Sequence, residues 1–246
     1  MNLVIDIGNT LSKTALFSGD ELASFSSFEK LTVGELKGLI EKNPAVKNVI
    51  LCSVTDHDKS IDAFLKNGHR FVELTHQTKL PFLNLYSSPE TLGRDRLACA
   101  VGANSLFRNQ DVLSVDAGTC IKYDFVNAKN EYLGGGISPG IEMRFRALNN
   151  FTGKLPLVSY RYFDKLIGEN TDESILSGVM NGAAEEVRGI VQRYRAQYPG
   201  LKVVFTGGYL KFFERIFNIS HTEKSSIFAD PFLVLKGLNQ ILNFNS

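Results

Sequence analysis

Short apolar runs open the chain and predict strands, and the pattern then changes to apolar residues at helical spacing. The first three runs cover residues 3–5, 13–17 and 21–27. Gly8 and Asn9 are a turn signal between the first two runs, so these runs predict a hairpin. Thr32 and Glu35 have the spacing of a capping box and predict a helix over residues 32–43.

The rest of the first half alternates strand and helix. The predicted elements are a strand over 46–54, a helix over 56–67, a strand over 70–74 and a helix over 93–107. Between the last two, residues 80–89 contain Pro81 and Pro89 and predict an extended loop. The first half therefore begins with three strands and continues with alternating helices and strands, an order typical of an α/β unit.

The second half begins with strands and ends with helices. Strands are predicted over 113–126, 131–137 and 201–205, and helices over 138–155, 172–197 and 231–242. The helix over 172–197 is the longest, and Gly178 and Gly182 in it allow close packing of a neighbour. It is therefore either an internal core helix or the seam of a dimer.

The composition is that of an ordinary globular protein, with 43% hydrophobic and 22% charged residues among 246. A net charge of +1 gives no general attraction to nucleic acid or to an anionic membrane. No run of eighteen apolar residues occurs. Cys52, Cys99 and Cys120 lie far apart in apolar runs and predict reduced thiols, and His57, His69, His76 and His221 lack the spacing of a zinc site. We therefore expect a cytoplasmic protein without a nucleic-acid or membrane partner.

The hairpin tip at residues 6–13, D-I-G-N-T-L-S-K, has residue types that bind phosphate. Gly8 lets the backbone approach a ligand, Thr10 offers a hydroxyl and Lys13 offers a positive charge. Asp6 would repel phosphate unless a cation lay between them, which implies Mg²⁺ carried by a nucleotide and held largely through water. The same letters also suit an ordinary Asx turn, so this tip alone does not decide between the two.

A second tip repeats the first. Residues 113–126, L-S-V-D-A-G-T-C-I-K-Y-D-F-V, again give strand, Asp-x-Gly, Thr, Lys and strand, and only Asn9 lacks a counterpart. Two such tips predict a duplicated domain whose halves face each other across a nucleotide. The pattern resembles the acetate and sugar kinase, Hsp70 and actin superfamily. The expected fold is α/β: two ribonuclease-H-like (actin-like ATPase) domains, 1–110 and 111–246, with mixed sheets flanked by helices and a cleft between them.

Gly-Arg-Asp-Arg at residues 93–96 is a second candidate for chemistry. Two arginines at a helix N-terminus offer anion recognition, and the carboxylate between them can accept a proton. The alternative is a solvated, charged first turn. We favour function because the motif lies between the two tips in sequence and a kinase needs both an anchor and a base for its acceptor.

Five motifs in order resemble those of the type III pantothenate kinase family over nearly the whole chain. They are D-I-G-N-T at Asp6, G-R-D-R at Gly93, D-A-G-T at Asp116, G-G-G-I-S-P-G at Gly134 and T-G-G at Thr206. The resemblance implies a kinase that transfers the γ-phosphoryl group of ATP to the primary hydroxyl of pantothenate. The product would be 4′-phosphopantothenate, at the first committed step of coenzyme A biosynthesis.

The resemblance also implies roles for single residues. Asp95 would be the proton acceptor, and Asp116 would hold a required K⁺ or NH₄⁺ ion. Substrate contacts are implied at Tyr86, Gly93, Arg94, Asp95, Arg96 and Thr171, the last near a homodimer interface. ATP contacts are implied at Asp6, Ile7, Gly8, Asn9, Thr10, Leu11, Ser12, Lys13 and Thr119. Either Arg94 or Arg96 pairs with the pantothenate carboxylate, and Thr171 is also compatible with a plain helix N-cap.

Two other functions remain open. Members of this family have also been called Bvg accessory factors, so a non-catalytic nucleotide-binding regulator is one alternative, and a kinase for a sugar or a short carboxylate is the other. The near-neutral charge counts against direct DNA binding. Asp95 between two arginines favours an enzyme, because a binding module has no use for a base there.

Overall fold

The computed structural model describes residues 1–219 and 226–246, which leaves His221 outside the described residues. The chain forms two compact units. Unit 1 comprises Met1–Gln110, Asp124–Gly134 and Phe232–Ser246, and unit 2 comprises Asp111–Tyr123 and Gly135–Pro231. Each unit is therefore built from segments that are distant in sequence. The domain division 1–110 and 111–246, and the cleft between the domains, stay predictions.

Strands and helices alternate along the described residues. The strands are β1 Asn2–Ile7, β2 Ser12–Ser18, β3 Glu21–Phe28, β4 Asn48–Ser53, β5 Arg70–Glu73, β6 Leu83–Asn84, β7 Val112–Ala117, β8 Cys120–Val126, β9 Glu131–Pro139, β10 Lys202–Thr206 and β11 Ile227–Ala229. The helices are α1 Val33–Glu41, α2 Lys59–Lys66, α3 Arg94–Leu106, α4 Ile141–Asn150, α5 Thr171–Gln197, α6 Leu210–Phe217 and α7 Leu233–Phe244. Within this described part of the chain, no helix has both the length and the apolar character needed to cross a bilayer.

The first sheet lies in unit 1 and has the strand order β3-β2-β1-β4-β5. β1 pairs antiparallel with β2, and β2 pairs antiparallel with β3. β4 is parallel to β1, and β5 is parallel to β4. The predicted hairpin with its third strand is therefore present, and parallel strands extend it as in a ribonuclease-H-like unit.

Apolar side chains of this sheet pack against α1 and α2. The cluster includes Leu3 and Ile5 of β1, Leu36 of α1 and Leu65 of α2, all with no exposed surface. The predicted capping box of α1 is present, because the Thr32 hydroxyl accepts from the Glu35 N–H while the Glu35 carboxylate accepts from the Thr32 N–H.

Helices α3 and α7 pack against each other, and α7 also contacts β1, β2 and β4. The two helices come close because Gly237 has no side chain. A Cβ at this position would overlap the Ala98 carbonyl oxygen. The Asn2 amide of β1 donates to the Asn239 oxygen at 2.8 Å and to the Asn243 oxygen at 2.7 Å. The first strand and the last helix of unit 1 are thus joined by polar contacts.

The second sheet has the order β11-β10-β7-β8-β9-β6. Its run β9-β8-β7-β10-β11 repeats the order β3-β2-β1-β4-β5, and β10 is parallel to both β7 and β11. β6 pairs with β9 within unit 1. The repeated order supports the duplication inferred from the two tips, and the predicted α/β fold with two mixed sheets flanked by helices is confirmed.

Several element boundaries differ from those predicted. α2 begins at Lys59, because Asp58 caps it by accepting from the Ser60 N–H at 2.9 Å. β9 continues to Pro139, so α4 begins at Ile141 rather than at residue 138. α4 ends at Asn150, before the predicted stop at 155, and the Asn149 amide donates to the Leu155 carbonyl outside the helix.

Candidate active site

The first tip joins β1 to β2 in unit 1. The Gly8 N–H donates to the Leu11 carbonyl at 3.1 Å and closes the turn. Asn9, Thr10 and Leu11 are exposed, whereas the Asp6 side chain below them is buried. Ile7 and Ser12 are buried at the strand ends, and Lys13 lies directly opposite Asp6 in the strand register. The predicted phosphate-binding segment therefore combines an exposed tip with a buried carboxylate and a lysine next to it.

A cavity of about 710 Å³ lies beside this tip, and all of its lining residues belong to unit 1. Asn9 of the tip and Gly93 and Arg94 at the start of α3 are among them. The remaining lining residues are Ser53, Val54, Thr55, Asp56, His57, Lys59, Glu73 and Leu92. The structure thus brings Asn9 of the first tip and the first two residues of the Gly-Arg-Asp-Arg motif to one cavity.

The first turn of α3 presents the two polar groups that follow Gly93. A Cβ at Gly93 would lie 2.8 Å from Oδ1 of Asp95, so any larger residue would require this carboxylate to shift. Asp95 Oδ1 also accepts from the Arg96 N–H at 2.9 Å. Arg94 Nη1 lies 3.5 Å from Glu73 Oε1, and both side chains are about one-third exposed. This loose ion pair leaves Arg94 able to turn toward a ligand.

Arg96 points into the interior of unit 1, where Asp124 receives it. Its Nε donates to Asp124 Oδ1 at 2.9 Å, and the Tyr132 hydroxyl donates to the same oxygen at 2.7 Å. Burial disfavours the charged guanidinium, but the Asp124 carboxylate outweighs burial, and the pKa of Arg96 is raised. Burial and the same carboxylate raise the pKa of Tyr132, so its hydroxyl stays a donor.

Tyr86 completes this cluster. Its ring centroid lies 5.7 Å from Arg96 Cζ, within the range of a cation–π contact. A Cβ at Gly134, where φ is +96°, would lie 2.9 Å from the Tyr86 ring, so the glycine leaves space for the ring. The structure therefore brings Tyr86, Gly93, Arg94, Asp95 and Arg96 into one region of unit 1. Asp124 and Tyr132 were not predicted, and their one sequence signal is a polar side chain within an apolar strand.

The second tip joins β7 to β8 in unit 2. Asp116 Oδ2 lies 2.7 Å from Nζ of Lys122, and the two side chains are only 12% and 16% exposed. A Cβ at Gly207, where φ is +98°, would lie 2.5 Å from Asp116 Oδ1, and a Cβ at Gly140 would overlap the Thr119 carbonyl oxygen. Thr119 itself is exposed. Bare glycine backbone therefore packs against this tip from two directions.

Below Gly140, a polar network joins β9 to α4 and α5 within unit 2. Glu186 Oε1 accepts from the Ser138 hydroxyl at 2.5 Å and from the Tyr123 hydroxyl at 3.1 Å, and Oε2 accepts from Arg144 at 2.5 Å. Burial opposes ionisation of Glu186, but the hydrogen bonds from Arg144 and Ser138 outweigh it, and the pKa of Glu186 is lowered. The network fixes the strand end next to the second tip.

Thr171 is the first residue of α5 and is exposed. The helix cap is Asn170, whose side chain accepts from the Glu173 N–H at 3.0 Å. The plain N-cap interpretation of Thr171 is therefore wrong, because the preceding residue makes the capping hydrogen bond. The substrate role of Thr171 stays a prediction.

The two carboxylates differ in their fit to the cations that the resemblance implies. Asp6 offers oxygen ligands below an exposed tip, which suits Mg²⁺ held mainly by a nucleotide and water. Among the described residues, no group of three or more His, Cys, Asp and Glu side chains forms a separate metal site. The Lys122 ammonium already contacts Asp116 Oδ2, so the residues present do not fit K⁺ or NH₄⁺ at that oxygen.

Two solved structures share this fold at low sequence identity. A protein described as a Baf family transcriptional activator from Campylobacter jejuni has a TM-score of 0.58 and 21% identity, covering 99% of this chain and 98% of its own. An inorganic polyphosphate/ATP-glucomannokinase from Arthrobacter has a TM-score of 0.52 and 13% identity, covering 99% of this chain and 98% of its own. Such likeness supports the actin-like kinase fold alone.

Sequence similarity is more specific. The family model for type III pantothenate kinase matches residues 2–193. A type III pantothenate kinase from Christiangramia forsetii is 43% identical over 246 residues, which cover 100% of this chain and 99% of the relative. The match therefore includes both tips and the Gly-Arg-Asp-Arg motif, and the chain belongs to the type III pantothenate kinase family.

Proposed function

We propose that this protein transfers the γ-phosphoryl group of ATP to the primary hydroxyl of pantothenate and so forms 4′-phosphopantothenate for coenzyme A biosynthesis. Family membership supports the two substrates. The structural observation that carries the proposal is the cavity of unit 1 that Asn9, Gly93 and Arg94 line together. Phosphoryl transfer depends on holding the phosphate and the acceptor oxygen in one place, and this cavity is next to residues for both.

ATP binds, in this proposal, through the tip residues 6–13 and Thr119. Backbone N–H groups at an exposed tip suit phosphate oxygens, and Lys13 adds a positive charge. Mg²⁺ bound with the nucleotide supplies neutralisation of the phosphate charge. Asp6, whose side chain lies below the tip, would hold that ion through water.

Asp95 accepts the proton of the pantothenate hydroxyl, since it lies in the first turn of α3 beside the cavity-lining Gly93. Arg96 anchors the pantothenate carboxylate. Asp124, which also accepts from Tyr132, already fixes the orientation of the Arg96 guanidinium, so Arg96 loses little side-chain freedom when a ligand binds. Arg94 is the second contact, since it lines the cavity and its ion pair with Glu73 is loose.

The enzyme is proposed to be a homodimer built on α5, with Thr171 contacting substrate near the interface. Gly178 and Gly182 are exposed on this helix, and a Cβ added at either meets no atom within 4 Å. These glycines leave space for the backbone of a second copy. Light scattering of the purified protein measures the mass, and a fully active monomer would contradict the dimer. A cytoplasmic location stays a prediction from the reduced cysteines.

The proposal is tested by ADP release from MgATP with pantothenate, compared with a panel of sugars and acetate. We expect turnover with pantothenate, a product with the mass of one added phosphoryl group, and only background ADP with the panel. Faster turnover with a sugar or acetate would favour a related kinase. Nucleotide binding without any transfer would favour the non-catalytic regulator.

A further inference from the structure

Lys122 and Asp116 form an ion pair at the second tip. Their charged atoms are 2.7 Å apart, and both side chains are largely removed from water. The other carboxylate oxygen, Oδ1, faces Gly207, where even a Cβ would come within 2.5 Å. Both oxygens of this carboxylate therefore have close neighbours that belong to the chain itself.

We infer that the Lys122 ammonium takes the place of the monovalent cation at Asp116, so that this enzyme works without K⁺ or NH₄⁺. The inference rests on the proposed function, because a cation at Asp116 matters only if a nucleotide binds at the second tip. The resemblance assigns either potassium or ammonium to this aspartate. A lysine head group is a substituted ammonium ion, and here it already contacts the carboxylate.

The charge balance at the tip explains why such a cation is needed. A carboxylate next to a triphosphate is repulsive until a positive charge lies close to both. Lys122 supplies one charge on a flexible stem, and limited exposure reduces screening of the pair by solvent ions. Because the ammonium is tethered, its effective concentration at Asp116 is high, and a free ion would first have to displace it.

The first tip shows that the lysine belongs to the repeated pattern. Lys13 lies directly opposite Asp6 in the register of β1 and β2. Lys122 follows Asp116 in β8 at the corresponding place of the second Asp-x-Gly, Thr, Lys pattern. Each tip thus places a lysine on the strand that follows its aspartate, and at the second tip the lysine and the aspartate are in direct contact.

The test is the rate of ADP release with pantothenate in sodium, potassium or ammonium chloride at equal ionic strength. We expect the native enzyme to change by less than about twofold among the salts, because equal ionic strength keeps general screening constant. Lys122→Met should lose about tenfold or more in sodium and recover in potassium or ammonium, as expected when a free cation replaces a lost charge-assisted contact.

The matched control is Lys129→Met, which removes an exposed lysine from the turn after β8. It should remain insensitive to the choice of salt. ATP affinity, measured by calorimetry in the same salts without pantothenate, is the second readout. The ATP affinity should depend on potassium in Lys122→Met but not in the native enzyme or in Lys129→Met. Since this readout needs no acceptor, a failure of the pantothenate assay would count against the proposed function without touching the role of Lys122.

Three results would overturn the inference. They are a native enzyme that loses about tenfold or more in sodium, a Lys122→Met variant as indifferent to salt as the native enzyme, and a folded variant that no cation rescues. Circular dichroism verifies folding. Should Lys122→Met fail to fold, Lys122→Gln and the native salt comparison decide the question.

Discussion

The tip of unit 1 and the tip of unit 2 place an aspartate at the fifth position of a six-residue buried strand, and both aspartates are 9% exposed. Their surroundings differ. The first tip has one more residue, Asn9, which is exposed and lines the large cavity of unit 1. The second tip lies against Gly140 and Gly207, and its aspartate contacts Lys122. The two tips therefore keep a carboxylate at the same strand position, but the first borders an open cavity whereas the second is closely packed within the chain.

Asp95→Asn should have the largest effect, and it tests whether Asp95, near the first tip, accepts the proton of the pantothenate hydroxyl. The substitution keeps the shape and removes the proton acceptor, so kcat should fall about 10²- to 10⁴-fold, or roughly 3 to 5 kcal/mol of barrier. ATP affinity should not change. Steady-state kinetics with pantothenate and ATP calorimetry measure the two quantities. Near-normal turnover across pH would make Asp95 a positioning residue instead of a base.

Alanine substitutions at the glycines test the different packing of the two tips. Gly207→Ala combines a positive φ with overlap onto Asp116 and Ala117 and should lower the free energy of unfolding by about 2–4 kcal/mol. Gly8→Ala meets only the Leu11 carbonyl, at 3.1 Å, and should lower it by about 1 kcal/mol or less. Urea unfolding compares the two variants. Equal effects would remove the distinction between an accessible and a fixed tip.

Arg96→Met tests the anchor beside the first tip. Losing a charge-assisted pair with the substrate carboxylate should raise KM for pantothenate roughly ten- to a hundredfold, or about 1.5–3 kcal/mol. Arg94→Met should raise it less, because Arg94 is about one-third exposed and water screens its contacts, whereas Arg96 is buried. Since Arg96→Met also leaves Asp124 buried without its guanidinium, the control is a double variant with Asp124→Asn. A larger rise in KM for Arg94→Met than for Arg96→Met would make Arg94 the anchor of the carboxylate.

Glu186→Gln should give the smallest effect, on the network beside the second tip. The pKa of Glu186 is lowered in the folded protein, so its contribution to stability is present above the unfolded value of about 4.3 and is lost as pH falls below it. The native protein should therefore be more stable than the variant near neutral pH, and the difference should shrink in acid. Thermal unfolding from pH 7 to 3 measures this. A difference independent of pH would assign the effect to packing.

Local signals in the sequence predicted much of the fold. The Thr32–Glu35 capping box, the hairpin around Gly8 and the long helix α5 each depend on residues close in sequence, and all three are present. β9 was underestimated because its glycines carry no strand signal and its extent depends on pairing with other strands. β11 is short and was not predicted.

The site was predictable as motifs but not as contacts. The sequence was sufficient to locate both tips and Gly-Arg-Asp-Arg as candidates, because each is a short segment with characteristic residue types. The partners of these residues come from distant strands. Asp124 lies twenty-eight residues after Arg96 in the sequence, and only the fold brings the two side chains together. The contact of Lys122 with Asp116 likewise depends on the pairing of β8 with β7. The presence of a lysine after each tip did not predict this contact.

The packing of α7 on β1 and α3 has a consequence for synthesis on the ribosome. Asn2 is translated at the start of the chain. The side chains that accept its hydrogen bonds, Asn239 and Asn243, are translated only after all of unit 2. Until then, the contacts of α7 with β1, β2 and β4 cannot form. Domains usually fold as they leave the ribosome, in order from the N-terminus. Here the unit that is begun first is completed last.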